Sequence, residues 1–420
     1  MREFVEHWIE RAGVRLRVLE WPVLEPDQAD GTELLLLHGL SSNARYWERL
    51  SRRFPHRRLV ALDQRSHGRS DRPPSGYEMA ELTADAAAVV SELGMRRPAV
   101  AGHSWGATVA LELAATEPAQ VSGLAVIDGP VAPISERMTW EDAARLMQPP
   151  LPRYRSLAEA YATQKTYLGE AWADDLELFV EDMHLRDADA WVLTLTADVR
   201  LQILRELFSF QPQLLWPQVA APAFVALAGA DSGMRSWKEA GARAVAELAP
   251  EADIRWYDSD HDIPLIRADE LAVDVERFCL RAGLYDVARA VAELDGDWSR
   301  PAPMEGWSAK DLLAHLSSTQ AAMPAVIRAV PEPVAPGGSR EPFDSDRWNA
   351  SQLRRRMERS PAELGAEVGS AGPKIDIALR EVDLSREMAA GTFAGWPVDA
   401  GMRAMLRHQR EHLEQLRATL

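Results

Sequence analysis

Ser104 lies in the segment Gly102-His103-Ser104-Trp105-Gly106. A serine hydroxyl is a poor nucleophile in water, and it becomes useful only when a base reaches its proton and a third group holds that base. The short apolar run ending at Ala101 and the helix-forming run from Ala107 to Ala115 put Ser104 on a strand-turn-helix elbow. Glycines are needed on both sides of such a turn because the chains come too close for a Cβ. A serine that only caps a helix would have the same local look. A second constellation lies near the other end of the chain. His408 and His412 are four residues apart in Arg407-His408-Gln409-Arg410-Glu411-His412, which puts both rings on one helix face, as a divalent metal would require. His315 belongs to an earlier helix, opened by the capping pattern Ser308-Ala309-Lys310-Asp311, and Leu312, Leu313 and Leu316 turn its face inward. Histidine pairs at this spacing also occur as ordinary core or surface residues.

The elements that must position these groups follow from length and patterning. A chain of 420 residues favours two domains, and 46% hydrophobic with 26% charged residues describes a folded protein. The formal net charge of -17 repels a phosphate backbone, which excludes nucleic acid as a partner. The one cysteine, Cys279, has no partner for an internal disulfide and suits a buried apolar position. Met1 to Glu10 has no continuous apolar core and reads as no signal peptide, and Leu34 to Leu37 is far too short to span a bilayer. The expected setting is cytoplasmic, away from membranes.

Phe4 to Glu10 and Val14 to Trp21 alternate in polarity around Ala12-Gly13 and predict an antiparallel hairpin. Leu34 to Leu37, Leu59 to Leu62, Ala99 to Ala101, Leu124 to Ile127, Ala223 to Ala228 and Ile254 to Tyr257 are short apolar runs, most of them separated by helix-length segments. They predict buried parallel strands, about eight strands in all with the hairpin, in an α/β doubly wound sheet whose ligands gather at the strand C-terminal ends. Between Pro130 and Trp216 the strand pattern stops, and a helical cap over about 131–216 is expected, with helices Trp140 to Met147, Leu157 to Leu168, Trp172 to His184 and Ala188 to Phe208. After the run from Glu270 to Arg281, ending at Gly283, the remainder reads as all-α. Its expected helices are Leu284 to Leu294, Ala309 to Val330, Ser345 to Glu358 and Asp399 to Ala418, with a loop from Pro331 to Pro342. The division expected is 1–282 and 283–420.

Around Ser104 the sequence resembles the α/β-hydrolase superfamily from Phe4 to Ala282. His38-Gly39-Leu40 ends the third strand where that family has its oxyanion loop, and Asp63-Gln64-Arg65-Ser66-His67-Gly68-Arg69-Ser70-Asp71-Arg72-Pro73 looks like its loop after the fourth strand, with Ser66 where glycine is common. The resemblance implies an eight-stranded, mostly parallel sheet with a helical cap. It makes His261, in Ser259-Asp260-His261-Asp262-Ile263-Pro264, the general base, and Leu40 and Trp105 the backbone donors of an oxyanion hole. It favours Asp231, after Ala228-Gly229-Ala230, as the orienting acid. Asp128, in Val126-Ile127-Asp128-Gly129-Pro130, is the alternative, whereas Asp260 and Asp262 are too near His261 in sequence. His38, His67 and His103 are expected as structural hydrogen-bonders. From Leu284 to Leu420 the sequence resembles the DinB-like four-helix-bundle superfamily, which includes mycothiol-dependent maleylpyruvate isomerases. That resemblance rests on Gly306-Trp307-Ser308-Ala309-Lys310-Asp311-Leu312-Leu313-Ala314-His315-Leu316 and on His408-x-x-x-His412. It implies a divalent metal, zinc or nickel, on His315, His408 and His412.

A serine at the elbow argues against haloalkane dehalogenase and epoxide hydrolase chemistry, which uses an aspartate there. Ester, thioester, amide or lactone hydrolysis remains, as does carbon-carbon cleavage of diketones, with no cofactor for the hydrolase. Trp140, Tyr154, Tyr161, Tyr167, Trp172 and Trp191 provide aromatic surface for a cap core and an apolar pocket. The expected substrate is therefore a small to medium, largely apolar acyl compound. Three readings of the bundle stay open: a metal-dependent or thiol-cofactor step added to hydrolysis, a thiol-dependent isomerase or transferase that is itself the main catalyst, and a noncatalytic module that makes a homodimer.

Overall fold

The computed structural model describes residues 2–230, 232–329 and 343–420. Asp231 and the expected loop from Pro331 to Pro342 lie outside the described residues. Two compact units result, one of residues 1–24 and 33–278 and the other of 25–32 and 279–420.

In the first unit, β1 (Val5–Arg11) and β2 (Val14–Trp21) form the hairpin, turning on Ala12 and Gly13 at φ 50° and 75°, the left-handed pair that a two-residue hairpin turn requires. β3 (Leu34–Leu37), β4 (Leu59–Leu62), β5 (Ala99–His103) and β6 (Gly123–Ile127) follow. The cap contains β7 (Arg153–Tyr154), β8 (His184–Asp187) and β9 (Ala190–Leu193) before β10 (Ala223–Ala228) and β11 (Asp253–Tyr257) complete the main sheet. That sheet has eight strands in the order β1-β2-β4-β3-β5-β6-β10-β11, parallel from β4 to β11. Its central strands are apolar throughout because both faces are covered: every residue of β3, for instance, is buried. The order brings the ends of β3, β5, β6 and β10 side by side, where the candidate residues lie.

The cap is not wholly helical. β7, β9 and β8 form a small antiparallel sheet, so the helices expected over Trp172 to His184 and Ala188 to Phe208 are cut short, to Glu177–Asp182 and Ala197–Ser209. The β8–β9 turn carries no glycine or asparagine signal. Ala188 takes the left-handed conformation itself, at φ 51°. Asp182, at the end of the first of these helices, is buried and accepts hydrogen bonds from Arg17 (2.8 Å), Arg45 (2.7 Å) and Arg69 (2.9 Å). Burial would raise its pKa, but the charges of Arg17, Arg45 and Arg69 hold it below the usual carboxylate value.

The second unit is all-α. The helix Ala268–Ala292 runs through Gly283, where a break was expected. A Cβ on Gly283 would meet Thr32 Oγ1 at 2.6 Å, so close packing explains the glycine and helix termination does not. Helices Ala309–Arg328, Ser345–Arg356 and Val398–Thr419 agree with expectation within a few residues, and a further one, Pro361–Glu381, lies between them. Pro361 stands in its first turn, behind a Ser360–Glu363 capping box, where proline is tolerated. No helix among the described residues is long and apolar enough to cross a membrane.

Three arginines surround one buried carboxylate at Asp182, so Asp182→Asn takes one carboxylate away from the buried Arg17 and Arg45, which keep Asp63 and Glu48 beside them. It should lower the stability of the first unit by about 3 kcal/mol, read as a shift in its urea midpoint. An unmoved midpoint would show that the cluster does not hold the cap.

Candidate active site and candidate metal centre

Ser104 sits between β5 and the helix Trp105–Thr116 with φ 53° and ψ -120°, a conformation that side chains other than glycine rarely adopt. Its N–H is tied to Ile127 O (2.9 Å) and its carbonyl accepts from Ala107 N (3.0 Å). The flanking glycines are sterically compulsory. A Cβ on Gly102 would meet Gly106 O at 2.2 Å, and one on Gly106 would meet Leu37 O at 2.3 Å. Gly39, in the loop after β3, is packed so closely on the elbow that its Cβ would lie 3.1 Å from Ser104 Cβ. The loop therefore holds Leu40 beside the serine. Arg200 of the cap secures the next residue, donating to Ser41 Oγ (2.5 Å) and to Met147 O (2.9 Å). Among the described residues neither Leu40 N–H nor Trp105 N–H meets a protein acceptor.

His261 follows β11, and its Nδ1 is 2.6 Å from Asp128 Oδ2. Asp128 ends β6 at φ 43°, a second left-handed residue at the same sheet edge. Its Oδ1 accepts from Ala228 N (2.8 Å) and from Lys238 Nζ (2.7 Å), and Lys238 also reaches Oδ2 (2.9 Å). The acid in contact with His261 is thus the alternative, Asp128. Burial would raise the pKa of Asp128, but the hydrogen bond from His261 and the charge of Lys238 hold it below the ordinary value. Burial would lower the pKa of His261, whereas the hydrogen bond and charge of Asp128, then the charge of Asp262, raise it above 6.5. Ser104, Asp128 and His261 line one cavity of about 550 Å³, and no hydrogen bond yet joins Ser104 Oγ to His261, a looseness usual in a free site.

The other histidines hold loops. His38 Nδ1 donates to Gly39 O (2.8 Å) while its Nε2 accepts from Gln64 N (3.1 Å). His67 Nδ1 donates to Arg65 O (2.9 Å). His103 stacks on Tyr46 and donates from Nε2 to His261 O (2.9 Å). Burial, with the charge of His261 second, keeps His103 near a pKa of about 4. Ser66 takes φ 66°, the conformation glycine would have supplied, and its hydroxyl is hydrogen-bonded to Tyr77. Asp262 accepts from Tyr46 (3.0 Å) and from the cap residue Tyr167 (2.8 Å). Of the cap aromatics, Tyr167 alone lines the cavity, whose remaining cap wall is Ile134, Arg137, Met138, Leu146, Met147, Leu168 and Leu207. Lys238 and Tyr46 were not foreseen, and Tyr167 was expected as aromatic cap surface without its bond to Asp262. A lysine on an amphipathic helix looks solvated in sequence, and nothing local marks a tyrosine that reaches across the fold.

In the second unit the three histidines converge. His315 Nε2 and His412 Nε2 each lie 3.1 Å from His408 Nε2, and one nitrogen of each ring falls within 4.8 Å of the others. Two nitrogens on a tetrahedral ion with bonds of roughly 2.0–2.1 Å are about 3.3 Å apart, so the donor set fits zinc-like coordination. His412 Nδ1 donates to Gln415 Oε1 (2.8 Å), which turns Nε2 toward the cluster. Burial first, then the neighbouring imidazoles, bring His315 and His408 to about 4, so both are neutral at pH 7, the form in which an imidazole can ligate a metal. The cluster borders a cavity of about 790 Å³ walled by Trp307, Trp348, Phe393 and Trp396.

His261 should titrate above 6.5 in histidine-labelled protein followed by NMR, and its midpoint should fall in Asp128→Asn. A spectrum with no imidazole responding to that substitution would contradict the geometry.

Comparison with known proteins agrees with this division. Residues 34–275 match the alpha/beta hydrolase family and residues 280–413 match the mycothiol maleylpyruvate isomerase N-terminal domain. Lipase LipV of Mycobacterium tuberculosis is 36% identical over 34% of this chain and 51% of its own length. The 2-(acetamidomethylene)succinate hydrolase of Mesorhizobium japonicum is 36% identical over 24% of this chain and 37% of its own. The chain thus spans about half the length, or less, of these relatives. Among solved structures, E-2-(acetamidomethylene)succinate hydrolase has a TM-score of 0.56 at 20% identity, covering 66% of this chain and 99% of that one. The thioesterase domain from the curacin biosynthetic pathway also has a TM-score of 0.56, at 17% identity over 65% and 99%. With the elbow, the sheet order and the family match in agreement, the chain belongs to the alpha/beta hydrolase family, and its residues 280–413 match the mycothiol maleylpyruvate isomerase N-terminal domain.

Proposed function

We propose that the first unit cleaves an ester, thioester or lactone of a small to medium, largely apolar acyl substrate through Ser104, His261 and Asp128. The observation that carries this reading is the 2.6 Å contact between Asp128 and His261 on the wall of the cavity that Ser104 lines. Asp128 takes the acid's role in this reading because, among the described residues, it is the carboxylate against the imidazole.

With a carbonyl carbon seated over Ser104, Oγ forms the new bond while His261 Nε2 accepts the hydroxyl proton. The carbonyl π electrons move onto oxygen, where the N–H groups of Leu40 and Trp105 meet the developing charge, aided by the N-terminus of the helix Trp105–Thr116. As the carbonyl re-forms, the leaving alcohol or thiol takes its proton from His261, and water repeats the sequence to release the acid. Asp128 keeps its charge throughout and fixes the tautomer with Nδ1–H turned inward. Methionine and leucine side chains on the cap wall suit an apolar acyl chain. His261 must be neutral to act, and its pKa is raised, so kcat/KM should fall as pH drops through a value above 6.5.

A panel of short acyl esters, thioesters, lactones and a diketone tests the reading. At least one acyl member should turn over, with a loss of at least about 10³-fold in Ser104→Ala. No turnover across the panel, or an equally active Ser104→Ala, would overturn it, and cleavage of the diketone alone would move the assignment to carbon-carbon hydrolysis.

For the second unit we propose a divalent-metal site on His315, His408 and His412, supported by the convergence of three imidazoles beside an aromatic-walled cavity. A bound zinc or nickel ion would acidify a thiol or water held at its open position, which suits a thiol-dependent isomerase or transferase step. Elemental analysis of the full chain should find about one equivalent of metal, lost in His408→Ala. A metal-free protein whose melting temperature is unchanged by added zinc or nickel would contradict the site.

A further inference from the structure

The reaction proposed above leaves one buried charge without a role. Lys238, on the helix Ser232–Leu248, is only 6% exposed. Its Nζ lies 2.7 and 2.9 Å from the two oxygens of Asp128 and 3.1 Å from Ala228 O. These three acceptors match the three N–H bonds of an ammonium group, so none is left for a substrate, although the side chain borders the cavity. A triad acid needs hydrogen bonds to fix its rotamer, and Ala228 N–H with His261 already supplies two. A buried cation in direct contact adds something further, because it acts on the charge of the acid as well as its orientation.

We propose that Lys238 is a positioning residue of the triad: its ammonium locks the Asp128 carboxylate toward His261 and offsets part of its charge, so that the imidazole is free of its proton nearer neutral pH. This rests on the triad reading above. Because Asp128 Oδ2 lies 2.9 Å from Nζ and 2.6 Å from His261 Nδ1, the cation is within about 5.5 Å of the ring. At that range a positive charge disfavours a second one. The other groups facing His261 act in both directions. Asp128 at the end of β6 and Asp262 in its own loop favour the imidazolium, with Tyr46 and Tyr167 bonded to Asp262, while His103 of β5 stays neutral. Asp260 and Arg137 also border the cavity. Lys238 is the cation that touches the acid itself, and its charge opposes protonation of His261.

The test uses the full chain and a fluorophosphonate probe, whose labelling rate reports the fraction of neutral base without a known substrate. Rates are measured from pH 5 to 9 for the wild type, Lys238→Met, Lys238→Gln and Lys238→Arg, with folding checked by circular dichroism. In either neutral variant the midpoint should rise by about one pH unit, so that labelling at pH 6 falls about tenfold, while Lys238→Arg keeps the wild-type midpoint. A neutral variant that folds and keeps its midpoint, or lowers it, would overturn the proposal and leave Lys238 a purely structural ion pair. Should neither neutral variant fold, the Arg variant decides: a midpoint raised by a unit despite the retained charge overturns the proposal, and an unmoved one supports it. If the wild type is not labelled, or Ser104→Ala labels equally, the triad reading fails first and the role of Lys238 falls with it.

Discussion

A carboxylate buried at the end of a parallel sheet must be both hydrogen-bonded and neutralised, and Asp128 meets that demand with the three groups around it. The N–H of Ala228 fixes one oxygen and so ties β6 to β10, Lys238 brings in the helix after β10, and His261 brings in the loop after β11. Each partner comes from a different element, so the position of the imidazole depends on β6, β10, the helix after β10 and the loop after β11 together. The same carboxylate raises the pKa of His261 while Lys238 opposes that rise. Site geometry and site electrostatics thus share one interaction.

Close approach sets the other half of the site. Gly102 and Gly106 let β5, the helix Trp105–Thr116 and the end of β3 meet at distances that a Cβ forbids, and Gly39 packs against Ser104 itself. Ser104 and Asp128, the two residues whose side chains must stand clear at the sheet edge, both take left-handed backbone conformations, each at a cost of about 1–3 kcal/mol. The buried Asp63 braces the neighbouring loop, its carboxylate accepting from Ala44 N and Arg69 N, and a Cβ on Gly68 would overlap that carboxylate. The cap is held from below by Asp182 and from the side by Arg200 on Ser41. The cavity over Ser104 therefore has walls fixed by ion pairs and a lining that is mostly apolar.

Much of this was legible in the residues. Apolar runs such as Leu34–Leu37 and Ala223–Ala228 have no periodicity compatible with one solvated face, and they are the buried parallel strands. The glycine pair around Ser104 announces a contact that no other residue type permits. What stayed hidden depended on partners distant in sequence. Asp128 and Asp231 are each an aspartate following a strand, and sequence does not show that Asp128 meets an imidazole 133 residues away. The β8–β9 hairpin escaped because Ala188 supplies the left-handed turn, and the helix Pro361–Glu381 escaped because Pro361, Pro373 and its glycines read as breakers while Ser360 caps it. In the second unit the spacing of His408 and His412 was sufficient for one face of a helix, but only the packing of Ala309–Arg328 against Val398–Thr419 brings His315 to them.

The central claim is that Asp128 orients His261 for a nucleophile at Ser104. Its most direct test compares the rate of Ser104 labelling by a fluorophosphonate in Asp128→Asn and in Asp231→Asn at pH 7.5. A loss of about 10³- to 10⁴-fold is expected in Asp128→Asn, as when a triad acid is neutralised, with Asp231→Asn within a few-fold of wild type. A large loss in Asp231→Asn with Asp128→Asn near wild type would contradict it.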